Sequence, residues 1–296
     1  MEEYIKENFD FEYDCKAASI GAQGPDIFFF HRALPVIMPG LSLRKIGSAL
    51  HRAEPGKIFD AFAEYWKKTG DSGKSYITGF ILHYSLDRQC HPYVYAMQNE
   101  ILKGNRFLHK GSAHNIIEMS ADSYFLTGKG NYRKPSDFFG ADTVKADGNT
   151  QNEIAQVIKF TVAEVLGNDI SLNAVRRALD DTVLCQKILR DPTGMLTGVC
   201  RITETILGPI THFFKFSSMI KPKDLEKAKK CVNIDRVEWC SPYCNEKRCE
   251  SFDDLFKGAK SDAVNLLAGF KQIISGQATG EQITNNISFL TGVKVK

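Results

Sequence analysis

The sequence lacks the features that would place the protein in a membrane or outside the cell. No apolar run approaches the roughly 20 residues that cross a bilayer. The N-terminal stretch MEEYIKENFDFEYD is acidic and mixed, without the basic and apolar regions of a secretion signal. The net charge is only +3, which gives no electrostatic reason to expect a large nucleic-acid surface. These absences predict a cytoplasmic globular protein with no transmembrane segment and no strong nucleic-acid signal.

Cysteine is present, but it is not arranged as a disulfide scaffold. Eight cysteines are spread over 296 residues, which indicates reduced thiols. Four of them lie between positions 231 and 249, yet their spacings include no Cys-x-x-Cys hook. A structural zinc site in that segment is therefore not favoured.

What the sequence does contain is helical periodicity. Apolar residues make up 43% and charged residues 25%, which is ordinary for a globular protein, and strand-like alternation is scarce. We predict an all-α fold with helices over 57–70, 75–90, 111–126, 152–167, 171–191, 195–216 and 251–276. The turn-rich stretch near 128–150 predicts a break in the chain. We therefore expect a helical core over 1–130, a linker or surface loop over 131–150, and a C-terminal helical region over 151–296 that packs on the core.

The stretch GFILHYSLDRQCHPYVY, residues 79–95, puts three metal-ligand side chains on one helical stripe. His83, Asp87 and His91 follow one another at intervals of four. Because each helical residue turns by about 100°, His83 and Asp87 are neighbours that can bind one ion together. Pro92 disfavours helical geometry at His91, so we expect a bend that turns His91 toward a second ion.

Further ligand-type residues lie on either side of this stripe. His114 and Glu118 in SAHNIIEM are four apart on the next predicted helix, and such a pair supplies one nitrogen and one oxygen ligand suited to zinc. Upstream, Asp26 lies at a turn in GAQGPDIFFFH and His51 precedes a helix break in SALHRAEPG. Burying Asp87 and imidazoles on an apolar helix is costly, and a metal ion is the simplest compensation.

Taken together, these motifs resemble a known family. The string G-x-x-G-P-D, a lone His, G-F-x-x-H-Y-x-x-D-x-x-x-H-P-Y-V and H-x-x-x-E is similar to that of the bacterial zinc-dependent phospholipase C-like family. This is an intracellular branch related to secreted zinc phospholipases C and single-strand nucleases. The resemblance covers about residues 15–125. The segments NIDRVEWCSPY and SFDDLFKGA resemble, more weakly, a C-terminal extension found in some members of the family. It implies a multi-helical phospholipase C/nuclease-like core that encloses a zinc cluster, with a C-terminal helical extension.

The resemblance also implies how the ligands are divided. One zinc ion would be surrounded by Asp26, His51, His83 and Asp87, and a second would be held by His91, His114 and Glu118. In the secreted relatives a third zinc ion uses the N-terminal amino group and a nearby histidine, whereas this sequence has no histidine before His31. Either the start is truncated or the third site is missing or altered, so the implied number is two zinc ions, or three. Histidine and carboxylate ligands also suit other divalent transition metals.

The implied activity is hydrolysis of a phosphodiester by water that a di- or trinuclear zinc site activates. Asp26 and, as second choice, Glu118 are the candidate catalytic residues, because a carboxylate can orient or deprotonate the attacking water. The substrate would be a small-molecule phosphoester or a phospholipid head group. Nearby aromatic residues either line an apolar mouth or pack in the core, and core packing is favoured. These residues are Phe28, Phe29, Phe30, Tyr84 and Tyr93.

Two alternatives remain open. A nuclease or nucleotide phosphatase would use the same site, although the near-neutral charge does not favour it. A non-enzymatic helical protein with a vestigial or structural metal site is favoured by the missing N-terminal histidine. An HD-type metal phosphohydrolase is excluded, because none of the seven histidines is followed by an aspartate.

Overall fold

The computed structural model describes residues 1–33 and 42–295, and the regular secondary structure of these ranges is almost entirely helical. The described residues form α1 (Glu2–Asn8), α2 (Cys15–Gly21), α3 (Ile27–Phe30), α4 (Arg44–Leu50), α5 (Pro55–Trp66), α6 (Asp71–Gly104), α7 (Lys110–Gly128), α8 (Gly148–Leu166), α9 (Leu172–Leu189), α10 (Met195–Leu207), α11 (Leu225–Cys231), α12 (Phe252–Ile274) and α13 (Gly280–Thr284). Their one sheet pairs β1 (Trp239–Cys240) antiparallel with β2 (Lys247–Arg248). The predicted all-α class is confirmed. Within the described ranges, every helix is too short or too polar to cross a membrane.

All seven predicted helices overlap an observed helix, and the two that differ most in extent are those predicted over 75–90 and 195–216. The helix predicted over 75–90 is part of α6, which does not end at His91 and continues through Pro92 to Gly104. A proline inside a helix costs about 3 kcal/mol, and the burial of residues 90–94 supplies the compensating contacts. The helix predicted over 195–216 ends at Leu207, because Gly208 and Pro209 follow it.

Contacts divide the chain into two compact units. Unit 1 comprises Met1–Gln89, Ala141–Cys185 and Lys257–Lys296, and unit 2 comprises Cys90–Gly140 and Gln186–Phe256. Three of the four boundaries fall inside α6, α9 and α12, and the fourth lies in the 3-10 helix Gly140–Thr143. Between 131 and 150 the chain forms two short 3-10 helices and then begins α8. The predicted division into 1–130, 131–150 and 151–296 stays a prediction about domains.

Unit 1 has an aromatic core to which distant parts of the chain contribute. Phe62 of α5 and Phe80 of α6 meet edge to face at 5.0 Å, and Phe59 meets Phe270 of α12 at 6.0 Å between ring centroids. Residues 75–81 of α6 are all buried. This burial follows from a sequence that is apolar nearly all round the helix.

Two glycines allow α2 to pack directly against α6. A Cβ atom on Gly21 would lie 2.1 Å from the carbonyl oxygen of Tyr76, and one on Gly79 would lie 2.1 Å from that of Ala18. No larger residue fits at either position. Because α2 leads into the 3-10 turn Gly24–Asp26, this close packing brings Asp26 toward α6.

Unit 2 is organised around the C-terminal part of α6 and around α7. Tyr93 is fully buried, and its hydroxyl donates to the carbonyl oxygen of Cys231 at 2.8 Å. Its ring packs edge to face on Trp239 at 5.3 Å. Aromatic burial of this kind gives unit 2 a core of its own.

Candidate metal centre

A turn, a helix end and α6 bring three ligand-type side chains together in unit 1. Asp26 ends the 3-10 turn, His51 directly follows α4, and His83 lies in α6. One donor atom of each lies within 4.8 Å of the donor atoms of the other two. Two imidazole nitrogens and a carboxylate oxygen are a donor set typical of zinc.

Asp87 contacts the same cluster from one turn further along α6. Its Oδ2 lies 3.1 Å from Nε2 of His83 and 3.7 Å from Nε2 of His51. The same nitrogen of His51 lies 3.3 Å from Oδ1 of Asp26. Two carboxylates and two imidazoles therefore converge, and we call Asp26, His51, His83 and Asp87 group A.

The backbone of α4 orients the ring of His51. Its Nδ1 lies 2.9 Å from the carbonyl oxygen of Gly47, one turn earlier. Because a carbonyl oxygen only accepts, Nδ1 carries the proton, and a neutral ring then directs its Nε2 lone pair at Asp26 and Asp87. Lone pairs and carboxylates facing one another need a positive charge between them, from a proton on Nε2 or from a metal ion. Group A thus fits a bound cation.

Gly24 makes room for the ring of His83. Its φ is +55°, and a Cβ atom at this position would lie 2.1 Å from Cδ2 of His83. Only glycine combines a left-handed backbone with the space for the ring. The two glycines of the motif G-x-x-G-P-D therefore have a physical explanation. Gly21 allows close packing of α2 against α6, and Gly24 leaves space for the imidazole of His83.

Aromatic rings border group A on two sides. Phe289, near the end of the chain, is fully buried and lies 5.7 Å from the ring of His51 and 6.3 Å from that of His83. Phe29 stacks on His51 at 5.7 Å with an interplanar angle of 17°, and it is 40% exposed. One ring therefore packs group A from inside, and the other covers it at the surface.

Three of the four remaining aromatic candidates belong to the core. The fully buried ones are Phe28, Tyr84 and Tyr93, whereas Phe30 is half-buried. Core packing is thus confirmed for these three. Phe29 is the one whose exposure leaves it free to contact a ligand.

A second cluster lies in unit 2 on two consecutive helices. His91 belongs to α6, and His114 and Glu118 lie one turn apart on α7. Oε1 of Glu118 lies 3.0 Å from Nε2 of His114 and 3.7 Å from Nε2 of His91. The three donor atoms lie within 4.8 Å of one another, and we call these residues group B.

The histidines of group B keep Glu118 ionised. Desolvation alone would raise the pKa of Glu118, but the charges and hydrogen bonds of His114 and His91 outweigh it and hold that pKa well below its usual range. The carboxylate is therefore negative at neutral pH. It is available there as a metal ligand or as a proton acceptor.

Each group combines at least one buried histidine with a solvent-exposed carboxylate. His51 and His83 are buried, but 46% of the Asp26 side chain is exposed. In group B the side chain of Glu118 is 39% exposed. A site built in this way leaves one side accessible to a substrate.

Comparison with known families establishes the class of the protein. The family model described as zinc-dependent phospholipase C matches residues 3–166, which is more than half of the chain. The chain belongs to the zinc-dependent phospholipase C family. No curated protein and no solved structure matches it. The predicted resemblance is confirmed, and all seven predicted ligands lie inside the matched range.

Membership of the zinc-dependent phospholipase C family implies zinc, and both groups suit that metal. Each offers imidazole nitrogens and carboxylate oxygens, the ligands that zinc accepts alongside thiolates. Among the described residues, neither cluster contains a cysteine. The assignment of individual residues as ligands or catalysts stays a prediction, and so does the number of ions.

His31, the remaining buried histidine near these clusters in the sequence, has a structural role. It follows α3, and its Nδ1 accepts a hydrogen bond from the backbone N–H of Leu43 at 2.9 Å. This bond ties the end of α3 to the start of α4. Neither described cluster of metal-ligand side chains includes His31.

Two contributors to group A carry no signal in the sequence. Phe289 lies far beyond the family match, and its surroundings NISFLTG contain no motif that relates it to His51 or His83. The carbonyl oxygen of Gly47 is a backbone group, and because every residue has one, the sequence does not show which of them contacts His51. Both act through packing between segments that only folding brings together.

A cavity of about 870 Å³ lies beside α4 rather than at either group. Four of its lining side chains are basic, namely Arg44, Lys45, Arg52 and Lys57, and it also has an apolar part. None of the described residues that line it is aromatic. It therefore lacks the stacking rings that accompany basic grooves for single-stranded nucleic acid.

Proposed function

We propose that this chain is a metal-dependent phosphodiester hydrolase whose substrates are phospholipid head groups or similar small phosphodiesters. The convergence of His51 and His83 with the carboxylates of Asp26 and Asp87 carries the proposal. Group B repeats the same donor types. Membership of the zinc-dependent phospholipase C family supports zinc as the metal and a lipid phosphoester as the substrate class.

In this proposal each group holds one zinc ion through its imidazole nitrogens and carboxylate oxygens. When bound, zinc supplies Lewis acidity toward a phosphoryl oxygen and lowers the pKa of water. The hydrogen bond from Nδ1 of His51 to Gly47 keeps Nε2 aimed into group A. Gly24 keeps the ring of His83 in place against the turn.

Asp26 is the proposed proton acceptor. It is the most exposed carboxylate of group A, so water can approach its oxygens. A carboxylate in that position orients the attacking water and takes its proton as the bond from the water oxygen to phosphorus forms. The bond from phosphorus to the ester oxygen of the leaving group breaks, and solvent protonates that oxygen. Glu118, which is ionised and half-exposed in group B, is the second candidate.

Phe29 is the proposed contact for the organic part of the substrate. Its ring is exposed and lies flat on the ring of His51 at 5.7 Å. A phosphodiester bound at group A would thus place one of its substituents beside an apolar face. Aromatic faces also attract quaternary ammonium groups such as that of choline.

Metal analysis together with hydrolysis of a chromogenic phosphocholine ester tests the proposal. The full chain, purified without chelator, should contain zinc and release the chromophore. A chelator should remove the activity, and added zinc should restore it. A zinc-loaded chain that hydrolyses no phosphodiester contradicts the proposal.

The role of Asp26 is tested by Asp26→Asn, which retains the shape of the side chain. We expect the kcat to fall by about 100-fold or more, as for loss of a general base. The matched control is Asp71→Asn, because Asp71 in α6 is similarly exposed, at 48%, and belongs to neither group. Equal activity of both variants would remove Asp26 from the chemistry.

The same experiments separate the two alternatives. A structural metal predicts that His83→Ala lowers the melting temperature and that neither this variant nor the parent chain hydrolyses any phosphoester. A nuclease or phosphatase predicts turnover of single-stranded DNA or nucleotides in preference to the phosphocholine ester. The net charge of only +3 makes the nuclease the weaker of the two.

A further inference from the structure

Unit 2 has an apolar surface that the proposed metal chemistry does not use. Helix α10 has no buried residue, although its sequence is strongly amphipathic. Its apolar side chains at positions 195, 199, 202 and 206 recur at helical spacing and form one stripe. This stripe is exposed, with relative accessibilities between 53% and 74%.

Helix α10 instead contacts the rest of unit 2 through Thr197 and Glu204, which are half-buried together with Leu196 and Cys200. The hydroxyl of Thr197 donates to Oδ2 of Asp191 at 2.6 Å. Glu204 accepts hydrogen bonds from the backbone N–H of Ser217 at 2.6 Å and from its hydroxyl at 3.0 Å. An ordinary surface helix buries its apolar stripe. In α10 these hydrogen bonds fix the rotation of the helix about its axis, and the apolar stripe therefore faces solvent.

The loop after α10 continues this surface. Ile210 is 77% exposed, and the ring of Phe213 lies 5.7 Å from that of the exposed Phe107. His212 and Phe213 have φ of 51° and 58°, a left-handed backbone that non-glycine residues rarely adopt. The N–H of Phe213 donates to the carbonyl oxygen of Gly208 at 2.7 Å, which holds the loop in this form. We call the following residues the apolar face: Met195, Val199, Ile202, Ile206, Ile210, Phe213 and Phe107.

Basic side chains border the apolar face. Residues 100–110 carry three basic side chains and one acidic side chain, and residues 195–223 carry four basic and one acidic. Arg106 and Lys110 flank Phe107, Lys215 follows Phe213, and all three are exposed. The acidic Glu204 is engaged with Ser217. Asp122 forms an ion pair with Lys221 at 3.1 Å, so the balance around the face is seven basic to three acidic side chains, and its surroundings are positive.

We propose that the apolar face inserts into the interface of an anionic phospholipid membrane. A helix with an apolar stripe and a basic border lies in the plane of the head groups, with the stripe in the acyl boundary and the cations near lipid phosphates. A second copy of the chain is a poorer occupant, because a symmetric contact would oppose two positive borders. The choice of lipid also rests on the proposed function, which gives the chain a phospholipid substrate.

Vesicle sedimentation of the full chain tests this proposal. The vesicles contain phosphatidylcholine alone or mixed with phosphatidylserine, and a chelator prevents any turnover. We expect binding to the mixed vesicles that exceeds binding to phosphatidylcholine alone. The triple variant Ile202→Ser, Ile206→Ser, Ile210→Ser should lower the bound fraction by about tenfold or more, because it removes three apolar side chains from the interface.

Two further variants separate the apolar and the charge contributions. Arg106→Gln, Lys110→Gln, Lys215→Gln should abolish the preference for phosphatidylserine. The matched control Ile234→Ser, Val237→Ser removes two exposed apolar side chains of unit 2 outside the face, and it should bind as the parent chain does. Circular dichroism and thermal melting check that each variant is folded.

Several results would overturn the proposal. One is a parent chain that binds neither kind of vesicle, and another is a folded triple variant that binds as well as its parent. A third is light scattering that shows a dimer for the parent and a monomer for the triple variant, which would make the face an interface between copies. Since no hydrolysis is measured, these outcomes are independent of whether a soluble phosphocholine ester is turned over.

Discussion

Groups A and B use the same kinds of donor but assemble them differently. Group B takes its side chains from α6 and α7, which follow one another in the chain. Group A combines a turn, the end of α4 and the middle of α6, and Phe289 packs on two of its rings from the far end of the chain. Group A therefore depends on contacts between distant segments, whereas group B depends on a single pair of helices.

The two groups also differ in how deeply their histidines are buried. His51 and His83 of group A and His91 of group B have little accessible surface, whereas His114 of group B retains about a fifth of its side-chain exposure. A buried ligand is surrounded by atoms that cannot rearrange when it is removed. Loss of His83 should therefore affect the whole of unit 1, whereas loss of His114 should affect mainly its local site.

The largest expected effect comes from removing one histidine from each group. We expect His83→Ala to lower the free energy of unfolding by about 4 kcal/mol, since it creates a cavity and deprives Asp87 of a contact. His114→Ala should lower it by about 2 kcal/mol, because its site is partly open to water. Urea denaturation of the zinc-loaded chain measures both. Equal losses would remove the distinction between the groups.

A slightly smaller effect is expected at the ion pair that anchors α6 in unit 1. Nε of Arg88 lies 2.8 Å from Oδ2 of Asp262, which also accepts from the hydroxyl of Ser85 at 2.7 Å. Both partners are largely buried. Asp262→Ala should lower the free energy of unfolding by about 3 kcal/mol, because it leaves the Arg88 guanidinium buried without its carboxylate.

A double-mutant cycle with Arg88→Met isolates the contribution of this pair. The double variant should recover part of the loss, since it removes the buried charge as well. Zinc titration of Asp262→Ala should show weaker binding at group A, whose residue Asp87 is adjacent to Arg88, and unchanged binding at group B. An additive cycle would show that the pair does not anchor α6.

The parts of the site that could be predicted from the sequence are those encoded by helical periodicity. Spacing alone pairs His83 with Asp87 and His114 with Glu118, and both pairs lie within 3.1 Å in the structure. The assignment of Asp26 and His51 to the same ion as His83 came from the family resemblance, because nothing local relates a turn to a helix end. Their convergence with His83 depends on the packing of α2 against α6.

Other features could not be predicted because they are decided by tertiary contacts. A local rule places a break at Pro92, but burial around it allows α6 to continue. Periodicity identifies α10 as amphipathic and implies a buried stripe, whereas its polar side forms the specific hydrogen bonds. The contacts of Phe289 with His51 and His83 are also tertiary, so no local pattern predicts them.

An intermediate effect is expected from Gly24→Ala, which tests whether the turn positions His83. The new Cβ atom would strain a left-handed backbone and collide with the imidazole, so we expect a loss of about 2 kcal/mol in the free energy of unfolding. Zinc binding at group A should weaken, while that at group B should not change. The control is Gly104→Ala, since nothing lies within 4 Å of a Cβ atom at the end of α6. A change confined to group B would contradict the role of the turn.

The smallest expected effects compare the aromatic ring beside each group. Phe29 stacks on His51 at the surface, whereas Tyr95 is half-buried and lies 5.3 Å from the ring of His114. Phe29→Leu should change the free energy of unfolding by less than about 1 kcal/mol and raise KM for the phosphocholine ester severalfold, because its exposed face is the proposed substrate contact. Tyr95→Leu should do the reverse, with a loss of about 1 kcal/mol and an unchanged KM, because its ring packs within unit 2. Steady-state kinetics measures KM, and urea denaturation measures the free energy of unfolding, for both variants. If Phe29→Leu lowered the free energy of unfolding and left KM unchanged, the role of the Phe29 ring would be to pack against His51. The organic part of the substrate would then have to bind elsewhere.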